Sequence, residues 1–282
     1  MLQVSALYIY PIKSLGGIAL DTAVLTDRGL QHDRRWMLID ANNRFLSQRE
    51  NAQMALLKTT LSTDGLLVTY VPDNTSITIP FLPQSEEKLE VTIWDDNCRA
   101  QLVSSRIDEW FSDKLNLPAR LVYMPDNSHR PTDPRYTNEG AITSFSDAYP
   151  MLIIGQASLD DLNARLPDAL PMNRFRPNIV FTGGEAYSED TMKHININGI
   201  DMYGVKLCAR CVMTTIDQQN AKKGKEPLKT LAKYRLKNNK IYFGQNLVHT
   251  GEGVLNVGDE IRVLEVHHEE RFFIKPVEAA LN

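Results

Sequence analysis

Short alternations of apolar and polar positions dominate the first half of the chain and predict β-strands. Residues 89–93 alternate in this way, and residues 66–70 do so directly after Asp64-Gly65, a strong hairpin-turn signal. Further short strands are predicted at 35–40, 45–48, 76–80 and 120–124. Many short strands with closely spaced turn signals favour a barrel or a sandwich over alternating strands and helices.

Apolar residues at helical spacing predict only three helices. These are 104–115, then 158–166, which starts at the capping-box-like Ser158-Leu-Asp-Asp161, and 227–235, with Pro227 in its first turn. Strands are predicted again at 151–155, 178–182, 212–216, 240–248 and 260–266. The complete pattern predicts a mainly β protein with a few helices, of the α+β class.

Three polar or irregular stretches interrupt this pattern. Residues 126–143 form either a domain linker or a lid over a site, because long loops without secondary structure are uncommon and often functional. Residues 217–226 form a second loop of this kind, which carries three lysines. The tail after Glu270 contains apolar residues without a clear period, and it is either an extra strand or a loose end.

Composition and charge narrow the function classes. The chain has 282 residues, 43% hydrophobic and 23% charged, which allows one large soluble domain or two ordinary ones. A net charge of -4 argues against nucleic acid as a partner. Three cysteines are too few for a disulfide framework and fit a reducing compartment. Without a signal-peptide pattern or a long apolar run, we expect a cytoplasmic protein and no membrane partner.

Two of the three cysteines form the Cys-x-x-Cys segment Cys208-Ala-Arg-Cys211. A structural zinc site would need two further ligands, and a thioredoxin-like dithiol would need a following helix where a β-prone run stands. A soft-metal thiolate site is the third interpretation, because Arg210 favours the thiolate of the neighbouring Cys211. Two small buried residues without chemistry are the fourth. The short motif alone does not choose among them.

Scattered cations strengthen the thiolate interpretation. They are Lys13, Arg34, Arg35, Arg49, Arg174 and Arg176, most of them next to predicted strand ends. Guanidinium groups at strand ends suit an anionic, phosphate-bearing ligand, because their donor geometry matches phosphate oxygens. In an acidic protein such a pocket must be local.

Six segments in fixed order carry a resemblance to the MOSC family (molybdenum cofactor sulfurase C-terminal domain). They are Tyr10-Pro-Ile-Lys-Ser14, Asp33-Arg-Arg-Trp36, Phe145-Ser-Asp-Ala148, Asn173-Arg-Phe-Arg-Pro-Asn178, Cys208-Ala-Arg-Cys-Val-Met-Thr-Thr215 and Phe243-Gly-Gln245. The chain resembles the bacterial hydroxylaminopurine-detoxifying members and the mitochondrial amidoxime-reducing members from about Val4 to Leu264.

The resemblance implies a small N-terminal β-barrel domain at 1–125 and a MOSC β-barrel with a C-terminal tail at 126–282. It also implies a molybdenum–molybdopterin cofactor, with Cys211 as the metal ligand and catalytic thiolate and Asp147 as a second catalytic residue that delivers protons. The implied cofactor-binding residues are Lys13, Ser14, Arg34, Arg176, Ala209 and Arg210. Cys208 would be a neighbour of the metal rather than a ligand.

The implied function is reduction of N-hydroxylated small molecules, namely amidoximes, hydroxylamines or N-hydroxylated bases. No cysteine follows Cys211, so we expect no built-in iron–sulfur cluster. Electrons would come from a separate ferredoxin-like protein or flavoprotein, and pyridoxal phosphate would not be required. The alternative is a sulfur or molybdenum-cofactor carrier that uses a persulfide on Cys211. A non-catalytic anion-binding module stays open as well.

Overall fold

Strands dominate the structure, a computed structural model that describes residues 1–137 and 140–268. In the first half they are β1 (Leu2–Ile9), β2 (Ile18–Leu20), β3 (Thr22–Thr26), β4 (Gly29–Leu30), β5 (Trp36–Ile39), β6 (Leu57–Leu61), β7 (Gly65–Tyr70), β8 (Thr75–Pro80), β9 (Lys88–Ile93), β10 (Asp96–Leu102) and β11 (Arg120–Tyr123). In the second half they are β12 (Arg130–Pro131), β13 (Ile142–Thr143), β14 (Met151–Gly155), β15 (Ile179–Thr182), β16 (Met192–Ile197), β17 (Ile200–Arg210), β18 (Leu236–Lys237), β19 (Lys240–Thr250), β20 (Gly253–Asn256) and β21 (Glu260–Val266). The helices are α1 (Ser105–Leu115), α2 (Gln156–Ala164) and α3 (Leu228–Leu231), with 3-10 turns at Ala52–Leu56, Met172–Arg174, Ser188–Thr191 and Val212–Thr215.

Seven strands from both ends of the chain close into a barrel in the order β14, β15, β1, β21, β16, β17 and β19, and β19 pairs back onto β14. Neighbours are antiparallel except β14 and β15, which are parallel and are connected through α2, as a parallel pair requires. The barrel interior is apolar and holds, among others, Leu7, Ile153, Phe181, Ile195 and Leu247. Closure leaves these seven strands without a free hydrogen-bonding edge along their paired lengths.

A half-barrel forms the second body. It combines the sheet β5-β11-β10-β9 with the sheet β6-β7-β8, and α1 covers them. Ile107, Phe111 and Leu115 repeat every four residues on α1, so they bury one face of the helix against Trp36 and Val68. The mainly β, two-body fold predicted from the sequence is confirmed. The boundary at residue 125 stays a prediction, and β1, which precedes it, lies in the closed barrel.

Two elements of the structure differ from their prediction, because hydroxyl side chains form hydrogen bonds with nearby backbone or carboxylate groups. The strand predicted at 212–216 is a 3-10 turn, in which the hydroxyls of Thr214 and Thr215 donate to the carbonyls of Cys211 and Val212. The helix predicted from Ser158 begins earlier, at Gln156. The Ser158 hydroxyl does not cap it, because it donates to Glu189 and accepts from the Tyr187 amide.

Two further elements are shorter than predicted. The third helix covers only Leu228–Leu231, and residues 45–48 contribute a single bridge, Phe45 to Ile39, instead of a strand. The tail after Glu270 lies outside the described residues. Within the described ranges, no helix is long and apolar enough to span a membrane.

The segment at 126–143 packs against the body along its described part. Arg28 donates to the carbonyls of Asp126 and Ser128, and β12 and β13 form a small hairpin within it. Arg130, from this hairpin, is 3% exposed and donates to the carbonyls of Ser144, Ser146 and Asp147. The segment therefore holds the 144–147 loop in place, which matters for the site below.

Candidate functional site

One pocket of about 780 Å³ lies where the two bodies meet. Its walls come from the turn after β1, the loops before and after β5, the 144–149 loop, the segment after the Met172–Arg174 turn and the end of β17. All eight site residues predicted from the sequence line it: Lys13, Ser14, Arg34, Asp147, Arg176, Ala209, Arg210 and Cys211. Residues that lie up to about 200 positions apart in the chain therefore converge on one cavity.

The two cysteines of the Cys-x-x-Cys segment have different partners. Cys211 lies just after β17, and its Sγ accepts a hydrogen bond from Arg49 Nε at 3.1 Å. Cys208 Sγ lies 2.9 Å from Arg210 Nη1. Cys98 is buried in an apolar cluster of the half-barrel, where burial raises the pKa of its thiol to about 11. In the described parts of the chain, no three His, Cys, Asp or Glu side chains are grouped in metal-binding geometry.

Asp147 lies at the mouth of the pocket, where three donors surround its carboxylate. Lys13 Nζ lies 2.6 Å and Arg49 Nη2 3.1 Å from its two oxygens, and Trp94 Nε1 lies 3.4 Å away. The surrounding protein atoms would raise the pKa of Asp147, but the charges of Lys13 and Arg49 outweigh this and hold it well below the usual range. Asp147 therefore carries a negative charge at neutral pH and links two cations beside Cys211.

Lys13 is buried, with 4% of its surface exposed. Its ammonium group also donates to the Phe145 carbonyl at 2.8 Å. Burial disfavours the ammonium form more strongly than Asp147 favours it, so the pKa of Lys13 falls to about 8. A lysine of this kind can exchange a proton near neutral pH, which an ordinary exposed lysine does not do.

Tyr10 forms an aromatic platform under two of the arginines. The guanidinium carbons of Arg34 and Arg176 lie 4.5 and 4.1 Å from its ring centre. Asp33 fixes this arrangement, because its carboxylate accepts hydrogen bonds from the Tyr10 amide at 2.7 Å and from Arg34 Nη1 at 2.5 Å. Burial and the nearby charge of Arg34 lower the pKa of Arg176 to about 10. Two guanidinium groups are thus held close together, facing the pocket.

Three pocket residues have left-handed backbone conformations that non-glycine residues rarely adopt. The φ angles are 68° at Ser14, 50° at Arg34 and 56° at Arg176. Each such residue costs on the order of 1 kcal/mol or more, and clusters of them are typical of ligand sites. The conformations turn these side chains out of the regular strand direction and toward the cavity.

The side chains that line the pocket provide the donors that the implied cofactor requires. Six cationic side chains line the pocket, with Asp147 as the one carboxylate among its lining residues. Arg210 Nε is buried and has no hydrogen-bond partner among the described residues, although its Nη2 donates to the Phe175 carbonyl. Convergent cations with a free donor suit a phosphate group, and the Cys211 thiol suits a soft metal such as molybdenum. The residues present fit a molybdenum–molybdopterin cofactor.

Several contributors are not among the residues assigned from the sequence. Arg49 and Arg174 were candidate cations without an assigned role, and both line the pocket. Tyr10 belongs to the first family segment, but nothing in that segment indicates an arginine platform. Trp94 and Arg130 carry no sequence signal, because their roles depend on a hairpin turn and on a buried arginine that the fold brings to the 144–147 loop.

Comparison with known proteins gives a consistent result. The family model of the MOSC N-terminal beta barrel domain matches residues 1–118, and that of the MOSC domain matches residues 141–262. The "Mitochondrial amidoxime reducing component 2" of Rattus norvegicus is 34% identical over 245 residues, covering 83% of this chain and 72% of that protein. The "Mitochondrial amidoxime-reducing component 1" of Homo sapiens is 30% identical over 283 residues, covering 93% and 82%. The "Molybdenum cofactor sulfurase" of Oryza sativa subsp. japonica is 30% identical over 263 residues, covering 86% of this chain and 32% of that protein.

Proposed function

The chain belongs to the MOSC family, and on that premise we propose that it is a molybdenum-cofactor oxidoreductase that reduces N-hydroxylated compounds. The substrate classes are amidoximes, hydroxylamines and N-hydroxylated bases. The observation that carries the proposal is the Cys211 thiol, hydrogen-bonded to Arg49, in a pocket with six cations and a proton-bearing Lys13–Asp147 pair. The names of the relatives support reduction of amidoximes in general.

In this proposal Cys211 binds the metal, and Arg49 keeps its sulfur in place through the 3.1 Å hydrogen bond. Arg34, Arg176 and Arg210 hold the anionic part of the cofactor, with Ser14 and the backbone of Ala209 beside them. When bound, the molybdenum cofactor supplies the two-electron redox chemistry that cleaves an N–O bond. Pyridoxal phosphate plays no part.

The protein's own contribution to turnover is proton transfer. Reduction of R–NHOH to R–NH₂ and water consumes two electrons and two protons. Lys13 holds a proton with a pKa of about 8 beside the Asp147 carboxylate at the pocket mouth. We assign Lys13 and Asp147 to proton delivery toward the substrate oxygen, with solvent as the source.

In this proposal the electrons come from a separate redox protein, either ferredoxin-like or a flavoprotein. A built-in iron–sulfur cluster, nucleic acid and membrane play no part in this proposal. The proposed location is the cytoplasm.

Metal analysis and turnover test the proposal together. The protein is produced in a host that makes the cofactor, and the Cys211→Ser variant is compared with Cys208→Ser as the matched control. We expect molybdenum near one atom per chain in the control, loss of most of it in Cys211→Ser, and benzamidoxime reduction by the control with chemically reduced methyl viologen. Molybdenum-loaded protein that reduces neither benzamidoxime nor an aromatic hydroxylamine contradicts the proposal.

A second function is a sulfur or molybdenum-cofactor carrier that holds a persulfide on Cys211. The similarity to the rice molybdenum cofactor sulfurase over 86% of this chain supports it. This alternative gives a distinct signature in the same samples. Cyanide-releasable sulfur on Cys211 without bound molybdenum supports the carrier, whereas molybdenum without releasable sulfur supports the reductase.

A further inference from the structure

Three lysines, Lys222, Lys223 and Lys225, form an exposed basic surface on the 217–226 loop, which is called the lysine surface below. Within the described residues, none of their ammonium groups forms an ion pair with a carboxylate. The two acidic residues of the loop are engaged elsewhere: Asp217 Oδ2 pairs with Arg174 Nη2 at 2.9 Å, and Glu226 Oε2 accepts the Thr230 amide at 3.0 Å. Three positive charges thus stand uncompensated on a protein whose net charge is -4.

The loop that carries the lysine surface is ordered before any partner binds. Asp217 Oδ1 accepts the amides of Gln219 and Asn220 at 2.8 and 3.2 Å, which closes a tight turn. Backbone bonds join its two sides, from Asp217 N to Lys222 O at 2.8 Å and from Gly224 N to Thr215 O at 3.0 Å. A surface that is already ordered pays little conformational entropy on binding.

The lysine surface is connected to the proposed metal ligand by two hydrogen bonds. Lys223 Nζ donates to the Arg49 carbonyl at 3.3 Å, and Arg49 Nε donates to Cys211 Sγ at 3.1 Å. Val212, the residue after Cys211, is 54% exposed. Val212 begins the 3-10 turn that ends at Thr215, and the Thr215 carbonyl accepts the hydrogen bond from Gly224 N, so this turn joins the partly exposed Cys211 to the loop of the lysine surface.

A groove of about 630 Å³ runs along the lysine surface. Its lining includes all three lysines and Arg174, and Arg174 also lines the pocket with Cys211. A partner that fills this groove with carboxylates would cover one wall of the pocket without entering it. Positive side chains along a groove favour an acidic protein partner, because complementary charge speeds association and selects the partner.

We infer that the lysine surface and Val212 form the docking site for an acidic one-electron carrier protein, an inference that rests on the proposed reductase function. Carboxylates around the carrier's redox group pair with Lys222, Lys223 and Lys225, and this places that group against Val212. Each encounter transfers one electron from the reduced carrier, which leaves oxidised. Two encounters and two protons from solvent convert R–NHOH into R–NH₂ and water.

The test uses cofactor-loaded protein and two electron sources. The first is a reduced plant-type [2Fe–2S] ferredoxin, an acidic protein, and the second is reduced methyl viologen, a small dye. The variant Lys222→Glu/Lys225→Glu reverses two charges and leaves the Lys223 hydrogen bond intact. The matched control is Lys88→Glu/Lys240→Glu, which makes the same charge change at exposed lysines on β9 and β19. Binding of oxidised ferredoxin is measured by calorimetry in parallel.

We expect the variant to lower kcat/KM for ferredoxin about tenfold or more at low ionic strength, because charge complementarity raises association rates by this order. Its ferredoxin Kd should rise similarly, while viologen-driven turnover and the control variant stay at the wild-type level. Raising the salt from about 20 to 200 mM should slow wild-type ferredoxin turnover and leave the variant's rate nearly constant.

Equal losses in the variant and the control, or a ferredoxin Kd unchanged by either, overturn the docking site. Failure of the proposed function has a different signature, which is the absence of viologen-driven turnover in wild-type protein. In that case the calorimetric comparison still decides whether the lysine surface binds an acidic redox protein.

Discussion

Lys13 makes a quantitative prediction about how the stability of the cofactor-free protein depends on pH. The residue is 4% exposed, and burial lowers its pKa from 10.5 to about 8. Between these two values the unfolded chain holds a proton that the folded protein has released. Since stability rises with pH wherever the unfolded state binds more protons, Lys13 destabilises the fold below pH 8 and ceases to do so above about 10.5.

The magnitude follows from the size of this pKa change. At about 1.4 kcal/mol for each pH unit, Lys13 should add about 3 kcal/mol to the free energy of unfolding between pH 7 and pH 10.5. The perturbation is Lys13→Met, which keeps the length of the side chain and removes the titrating group. The assay is urea unfolding of both proteins across this range, and the quantity compared is the wild-type value minus the variant value. Other titrating groups largely cancel in this difference.

The matched control is Lys88→Met, because Lys88 is exposed on β9 and its ammonium stays in water in both states. We expect the wild-type minus Lys13→Met difference to rise by about 3 kcal/mol with pH, and the wild-type minus Lys88→Met difference to stay flat. A flat or falling difference for Lys13 would refute the reasoning, because it would mean that the buried ammonium carries no penalty in the fold.

Three further substitutions test other parts of the structure. Burial and the neighbouring Asp190 raise the pKa of Glu189 to about 7. In urea unfolding, the free energy of unfolding of the wild type minus that of Glu189→Gln should therefore fall by about 3 kcal/mol between pH 4 and pH 8. A constant difference would contradict this. A Cβ at Gly204 would lie 1.9 Å from the Met192 carbonyl oxygen, so Gly204→Ala should lower the free energy of unfolding by about 3 kcal/mol. Gly224→Ala should lower it little, because the nearest atom to a Cβ at Gly224 is 3.6 Å away. Similar melting curves for the two variants would argue against the barrel packing. Glycine adopts the left-handed backbone of Ser14 without strain, so Ser14→Gly should raise the free energy of unfolding by about 1 kcal/mol. It should also lower the molybdenum content, because the variant lacks the Ser14 hydroxyl. A lower free energy of unfolding would show that the Ser14 backbone is not strained.

Local patterns in the sequence were sufficient for many of the strands and for the longest helix, but the prediction missed β16 and β17 of the closed barrel. The alternation at 66–70 and 89–93 corresponds to β7 and β9, because side chains two residues apart share a face whatever the rest of the chain does. The 212–216 segment was predicted as a strand because Val, Met and Thr favour one. It is a 3-10 turn because two threonine hydroxyls donate hydrogen bonds to backbone carbonyls. Strand propensities of single residues do not include such local hydrogen bonds.

The site, too, has residues that were predicted from the sequence and residues that only the structure reveals. The cations and the Cys-x-x-Cys segment were visible in the sequence, but the eight lining residues, which include Ser14, Asp147 and Ala209, were selected by the resemblance to the MOSC family. Their support was not visible. Tyr10 under two arginines, Trp94 beside Asp147 and the buried Arg130 under the 144–147 loop are contacts between distant segments, and only the folded chain brings them together.

The same interactions that would hold an anion make the pocket unfavourable to form. Arg34 and Arg176 share one aromatic ring, and the pKa of Arg176 falls to about 10 because burial and the neighbouring charge oppose its protonation. Lys13 is affected in the same direction. An anionic group in the pocket would reverse each of these effects, since it favours the charged form of every cation around it. An anion that binds there therefore relieves a destabilisation that the fold carries without it, and the closed barrel supplies apolar packing that offsets this destabilisation.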